Sequence, residues 1–125
     1  MPRDPYGRES LPEPATVLEA LADPDCRALL AVMDRPLTTA ELSEESDIPL
    51  STTYRKLDRL EEATLIDEQL EIREDGRHTA RYTPYFDRIE LVRTKEQDLD
   101  LEISRPPRTA DERLEDLWSQ VRKGV

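Results

Sequence analysis

The sequence predicts a mixed α+β domain, with short helices first, antiparallel strands after them and one further helix at the end. Three observations carry this. Between Pro14 and Ile66 apolar residues recur at intervals of three and four; beyond Ile66 the interval falls to two around Glu74-Asp75-Gly76-Arg77; past Pro106-Pro107 the helical spacing returns.

Residues 1–13 are polar and broken by Pro2, Pro5 and Pro12, which predicts a loose tail. Pro14 suits the first position of a helix, and Val17, Leu18 and Leu21 repeat behind it at helical spacing. Asp23 followed by Pro24 caps and opens a second helix, with Leu29, Leu30, Val32 and Met33 expected to face inward. Arg35-Pro36 closes it, because a residue before proline avoids helical backbone angles. A third helix begins at Thr38 or Thr39, with Glu41 and Glu44 in its first turns and Ala40 and Leu42 as its buried positions. Ser46-Asp47-Ile48-Pro49 turns the chain, and Ser51 is the expected cap of a fourth helix. There Thr53, Leu57, Leu60 and Thr64 fall in one narrow stripe, which must be the buried one.

Leu70, Ile72, Ala80 and Tyr82 alternate with polar residues, predicting a hairpin over 70–83 in which Gly76 supplies the positive φ of the turn. The segments RIELVR and DLDLEIS, joined by Thr94 to Gln97, form a second hairpin. Thr109-Ala110-Asp111-Glu112 has capping-box spacing, and Leu114, Leu117, Trp118 and Val121 mark the apolar stripe of a last helix. Helix, helix, short turn, helix and hairpin is the order of a winged helix-turn-helix. The expected division is a tail over 1–13, a winged helix-turn-helix domain over 14–86, and an extended β-hairpin with a C-terminal dimerisation helix over 87–125.

A chain of 125 residues with 36% apolar composition has the material for one domain with appendages. No run approaches the ~20 apolar residues that span a bilayer, and the first fifteen residues lack the apolar centre of a secretory signal, so a soluble cytoplasmic protein is expected. Charged residues make up 38% of the chain, the net charge is −11, and of the 18 cations only Lys56, Lys95 and Lys123 are lysine. Abundant carboxylate with scarce lysine suits solvation in concentrated salt, because carboxylates hold water and cations where a lysine stem exposes apolar surface.

Net acidity opposes binding to nucleic acid, yet from Leu50 to Leu60 Arg55, Lys56 and Arg59 stand against Asp58 alone. Thr52, Arg55 and Arg59 share the side of the fourth helix opposite its apolar stripe, flanked by Tyr54 and Lys56. Ser51 and Thr52 bring hydroxyls and free N–H groups towards phosphate at the helix N-terminus. Arg55 and Arg59, one turn apart, can fork onto guanine O6 and N7 or clamp a phosphate, and Tyr54 offers a flat face to a thymine methyl. Arg73, Arg77, His78 and Arg81 surround the hairpin tip, where arginine suits the negative potential of a narrow minor groove. The expected partner is double-stranded DNA, read by a homodimer across a palindrome. The rival reading is a protein-interaction module whose basic helix face docks an acidic partner. No catalytic constellation, cofactor site, small-molecule site or membrane segment emerges, since the one His has no nucleophile paired with it.

ALADPDCRALLAV, followed by LTTAELSEESDIPLSTTYRKLDRLEEATLI, resembles the DNA-binding domain of ArsR-like and TrmB-like winged-helix transcription regulators, particularly small haloarchaeal ones. The likeness runs from about Pro14 to Tyr85 and is densest at S-T-x-Y-R-x-L-x-x-L, here Ser51 to Leu60. It implies a dimeric regulator that reads DNA through Thr52, Tyr54, Arg55, Lys56 and Arg59. Thr64 stands where that family usually places glycine. Metal-sensing members carry paired cysteines where this chain has Thr38, Thr39 and Ala40, so a metal site within one subunit is not expected.

Cys26, the one cysteine, falls at the third position of the second helix, where free N–H groups and the dipole lower a thiol pKa while Asp23 and Asp25 oppose this. It is either a redox switch, through sulfenic acid or an inter-subunit disulfide, or a small buried apolar residue. The stripe of the last helix is expected to meet its counterpart in a second subunit.

Overall fold

A computed structural model describes residues 12–106. The expected tail, apart from its last two residues, and the stripe of Leu114, Leu117, Trp118 and Val121 lie outside the described residues. Four helices come first: α1 (Pro14–Ala22), α2 (Pro24–Val32), α3 (Thr39–Ser46) and α4 (Leu50–Glu62). Two antiparallel hairpins follow, β1 (Ile66–Ile72) with β2 (His78–Pro84), and β3 (Arg88–Arg93) with β4 (Leu99–Ser104). This is a winged helix-turn-helix carrying a second two-stranded ribbon.

The helix boundaries follow from local chemistry. Pro14 and Pro24 occupy first-turn positions that have no N–H to lose, and Asp23 Oδ1 accepts from Asp25 N at 2.9 Å to cap α2. Thr38 caps α3 through a reciprocal box, its hydroxyl accepting from Glu41 N at 3.2 Å while Glu41 Oε1 accepts from Thr38 N at 2.9 Å. Asp47 ends α3 in the left-handed conformation at φ 61°, a geometry its short polar side chain tolerates. Ser51 is not the cap of α4. The helix starts two residues earlier, with Pro49 in the cap position and no side-chain cap, so Ser51 lies exposed in the first turn.

Val17, Ala20, Cys26, Leu29, Leu37, Leu42, Leu57, Leu60 and Leu65 build one core, joined by Ile66, Tyr82 and Leu101 from the strands. Thr53 is buried among them without a polar penalty, because its hydroxyl donates back to the Pro49 carbonyl at 3.0 Å. Three apolar expectations fail. Leu18 is exposed, leaving Val17 and Ala20 as the inner face of α1, and on α3 it is Thr39 rather than Ala40 that is buried. Leu70 and Ile72 are 66% and 73% exposed, because only the root of the first hairpin meets the helices while its outer half stands clear.

That hairpin pairs Ile66 with Pro84 through Ile72 with His78, turning at Gly76 with φ 82°. Its orientation is set by Leu37, which exchanges two backbone hydrogen bonds with Tyr82 at 3.2 and 2.8 Å. The second ribbon pairs Arg88 with Ser104 through Arg93 with Leu99 and sends Leu101, Ile89 and Ile103 towards the core.

Thr64, just beyond α4, holds φ 59°, a left-handed backbone that suits glycine far better than a β-branched residue. Arg105 braces it. The guanidinium donates to the Thr64 carbonyl and hydroxyl and to Tyr85 O at 2.9 Å, and it stacks 4.5 Å from the Tyr85 ring centroid. Arg105→Ala is expected to lower unfolding stability by about 2 kcal/mol through three lost charge-assisted hydrogen bonds. Arg105→Lys should recover little of that, since an ammonium has no planar fork. Denaturant midpoints at unchanged slope are the measurement.

Candidate nucleic-acid interface

The buried line of Thr53, Leu57 and Leu60 fixes which side of α4 faces solvent. Ser51, Tyr54, Arg55 and Arg59 are exposed there and Thr52 is half-buried. Arg55 has no hydrogen-bond or ion-pair partner among the described residues, and its guanidinium projects freely from the second turn. The hydroxyls and Arg55 lie in the first two turns of the helix, while Arg59 lies in its last. Asp58, Glu61 and Glu62 occupy that end too, where burial, with the nearby charges of Glu68 and Asp58, pushes the Glu61 carboxyl up. Acids therefore outnumber bases at the C-terminal end of α4, where Arg59 stands among them.

Lys56 behaves differently from its neighbours. Its side chain is only 19% exposed, and its ammonium donates to Asp23 Oδ2 at 2.7 Å. Arg59 Nη1 reaches the same oxygen at 3.3 Å but stays 49% exposed, so part of its fork still faces outward. Asp23 lies thirty-three residues from Lys56 in sequence, and nothing local announced the contact. Hydrogen bonding from Lys56 holds the Asp23 carboxyl below the usual carboxylate range, against its burial.

On the first hairpin Arg73, Arg77 and His78 are exposed, and Arg77 has Asp75 as a loose neighbour at 3.8 Å. Arg81 is committed elsewhere. It bridges Glu71 at 2.7 Å and Glu41 at 3.0 Å, tying β2 to the capping box of α3. The structure thus sets Ser51, Thr52, Tyr54 and Arg55 on the first two turns of α4 and part of Arg59 on its last turn, sets Arg73 and Arg77 on the hairpin tip, and turns Lys56 and Arg81 onto carboxylates of the same chain.

Cys26 takes the second of its two expected roles, that of a small buried residue. It is fully buried, its Sγ lies 3.8 Å from the Lys56 carbonyl, and desolvation together with the Asp23 charge pushes its thiol up to about 11. The helix N-terminus does not activate it. Among the described residues no group of three or more His, Cys, Asp or Glu could hold a metal ion, and no helix is long and apolar enough to cross a membrane.

Residues 21–69, from the end of α1 into β1, match a family described as a helix-turn-helix domain. A solved structure described as a possible transcriptional regulator from Methanosarcina mazei Go1 is similar at 22% identity and a TM-score of 0.46, over 57% of this chain. The match spans 63% of that chain. No curated protein matches.

The raised Cys26 thiol gives a signed pH dependence. The native state keeps its proton more tightly than the unfolded chain, so this contribution is whole below the ordinary thiol range and is lost as pH climbs through about 11. Alkylation by iodoacetamide at neutral pH should be far slower in the folded protein than in denaturant, and Cys26→Ala should flatten the alkaline fall in stability.

Proposed function

We propose that this chain is a sequence-specific DNA-binding transcription regulator that acts as a homodimer on a palindromic operator. The N-terminal half of α4 enters the major groove, with Arg55 and the outer part of Arg59 reading base edges and Ser51, Thr52 and Tyr54 fixing register on the backbone. Arg73 and Arg77 on the β1–β2 hairpin meet the backbone or the minor groove beside it. The observation that carries the reading is Arg55: in a chain with 29 carboxylate side chains, its guanidinium has no hydrogen-bond or ion-pair partner among the described residues and stands exposed in the N-terminal half of α4. Residues 107–125, with Leu114, Leu117, Trp118 and Val121, supply the subunit contact. Cys26 is a packing residue in this reading, and redox control through it would require the domain to open.

The arginine-rich, lysine-poor composition fits a protein working in concentrated salt, where the Debye length shrinks to about 3 Å. Selectivity there comes from short hydrogen bonds rather than long-range attraction.

One observation favours a protein-interaction module as a second reading: Leu70 and Ile72 on the first hairpin, and Leu91 and Leu99 on the second, are exposed apolar residues of the kind that partners cover. Mobility shifts on random duplexes and on duplexes enriched by iterative selection separate the readings. Arg55→Ala should weaken binding to the enriched duplex by about tenfold or more and relax its base preference, while Arg77→Ala should weaken all duplexes alike. Equal binding by wild type and Arg55→Ala favours the protein-interaction module. In sedimentation the full chain should run as a dimer, and Leu117→Asp combined with Trp118→Asp should run as a monomer.

A further inference from the structure

Asp23 does two things with its two oxygens. Oδ1 caps α2 through Asp25 N at 2.9 Å, whereas Oδ2 faces α4 and takes both the Lys56 ammonium at 2.7 Å and the Arg59 guanidinium at 3.3 Å. Its side chain is 7% exposed, so the carboxylate cannot swing away to solvent. Being fixed at the α1–α2 junction, it stands beside the proposed reading helix as a built-in anion. Lys56 is nearly enclosed by this contact. Arg59 is held at one nitrogen, at longer range, with half its surface still outside.

We propose that Asp23 is a positioning residue for DNA recognition, an internal stand-in for phosphate that withholds Lys56 from the duplex and pins Arg59 so that its free nitrogens point at base edges. The inference rests on the DNA-binding reading of α4. Its physical sense lies in how protein–DNA affinity divides. Each cation that meets a backbone phosphate adds sequence-independent affinity through counterion release, while discrimination depends on donors whose directions are fixed. A carboxylate that ties up one cation and orients another lowers the first contribution and sharpens the second. Arg55, with no such tether, contributes to both.

The test is Asp23→Asn, chosen because asparagine caps a helix as well as aspartate but carries no charge; Asp23→Ser is the second variant, with circular dichroism checking that each is folded. Binding to random and to selection-enriched duplexes is measured across a KCl series beside wild type and Arg55→Ala. Releasing Lys56 and Arg59 should steepen the dependence of log affinity on log salt by roughly one to two, at about 0.9 for each phosphate neutralised. Random duplexes should gain about tenfold at low salt and the preference for enriched duplexes should fall. Adding Lys56→Met to Asp23→Asn should take back part of the extra slope, which a purely structural role for Asp23 would not produce. If both Asp23 variants keep the wild-type slope and preference while Arg55→Ala loses binding, the positioning role is overturned and the DNA reading stands. If wild type shows no preference for any duplex and Arg55→Ala changes nothing, the DNA reading itself fails and takes this inference with it.

Discussion

The burial of one line on α4 constrains everything else in the molecule. Thr53, Leu57 and Leu60 fill the space between α2, α3 and the root of the first hairpin, and each fully buried leucine is worth about 2 kcal/mol relative to exposure. Rotating α4 by a single residue would bring Asp58 and Glu61, or Lys56 and Arg59, to that core at a far larger cost. The outward direction of Arg55 is therefore set from behind. Thr53 shows how tight the fit is, since a polar residue is admitted there only because its hydroxyl folds back onto the carbonyl of the preceding turn.

Charge is arranged against this scaffold in an uneven way. Several cations are neutralised at home: Lys56 on Asp23, Arg81 on Glu41 and Glu71, and Arg35 on Asp34 and Glu45. Exposed pairs of this kind add little stability, so Arg35 is best regarded as solvated surface, while the enclosed Lys56–Asp23 contact orients two helices. The acids at the far end of α4 set a boundary for any polyanion approaching the domain. On the proposed DNA reading, a duplex meets the first turns of the helix rather than lying along its whole length.

What could be seen in the sequence was what is decided locally. The Asp23 cap, the prolines at helix starts, the opening of α3 at Thr39, the turn through Asp47-Ile48-Pro49 and the positive φ of Gly76 all depend on residues within four of one another, and each falls within the stretch expected of it. Errors came where local rules compete or distant residues intervene. Ser51 is a good capping residue, yet Pro49 already fixes the chain direction two positions earlier. Leu70 and Ile72 alternate as a half-buried strand should, but alternation says which face is apolar and not whether anything covers it. Lys56 had the right spacing for the outward face, and only the fold shows Asp23 waiting beside it. The bracing of Thr64 by Arg105 was similarly invisible, because forty-one residues separate the two.

The backbone bridge between Leu37 and Tyr82 bears on how the domain meets a target. It welds the strand that carries the hairpin to the segment leading into α3, and Arg81 reinforces the weld on the other side. On the proposed DNA reading, the exposed end of α4 and the tied root of the hairpin present a set gauge to the target. A target whose grooves are not already spaced to that gauge must itself bend or widen, so the stiffness of the target's own base steps would enter the choice of site.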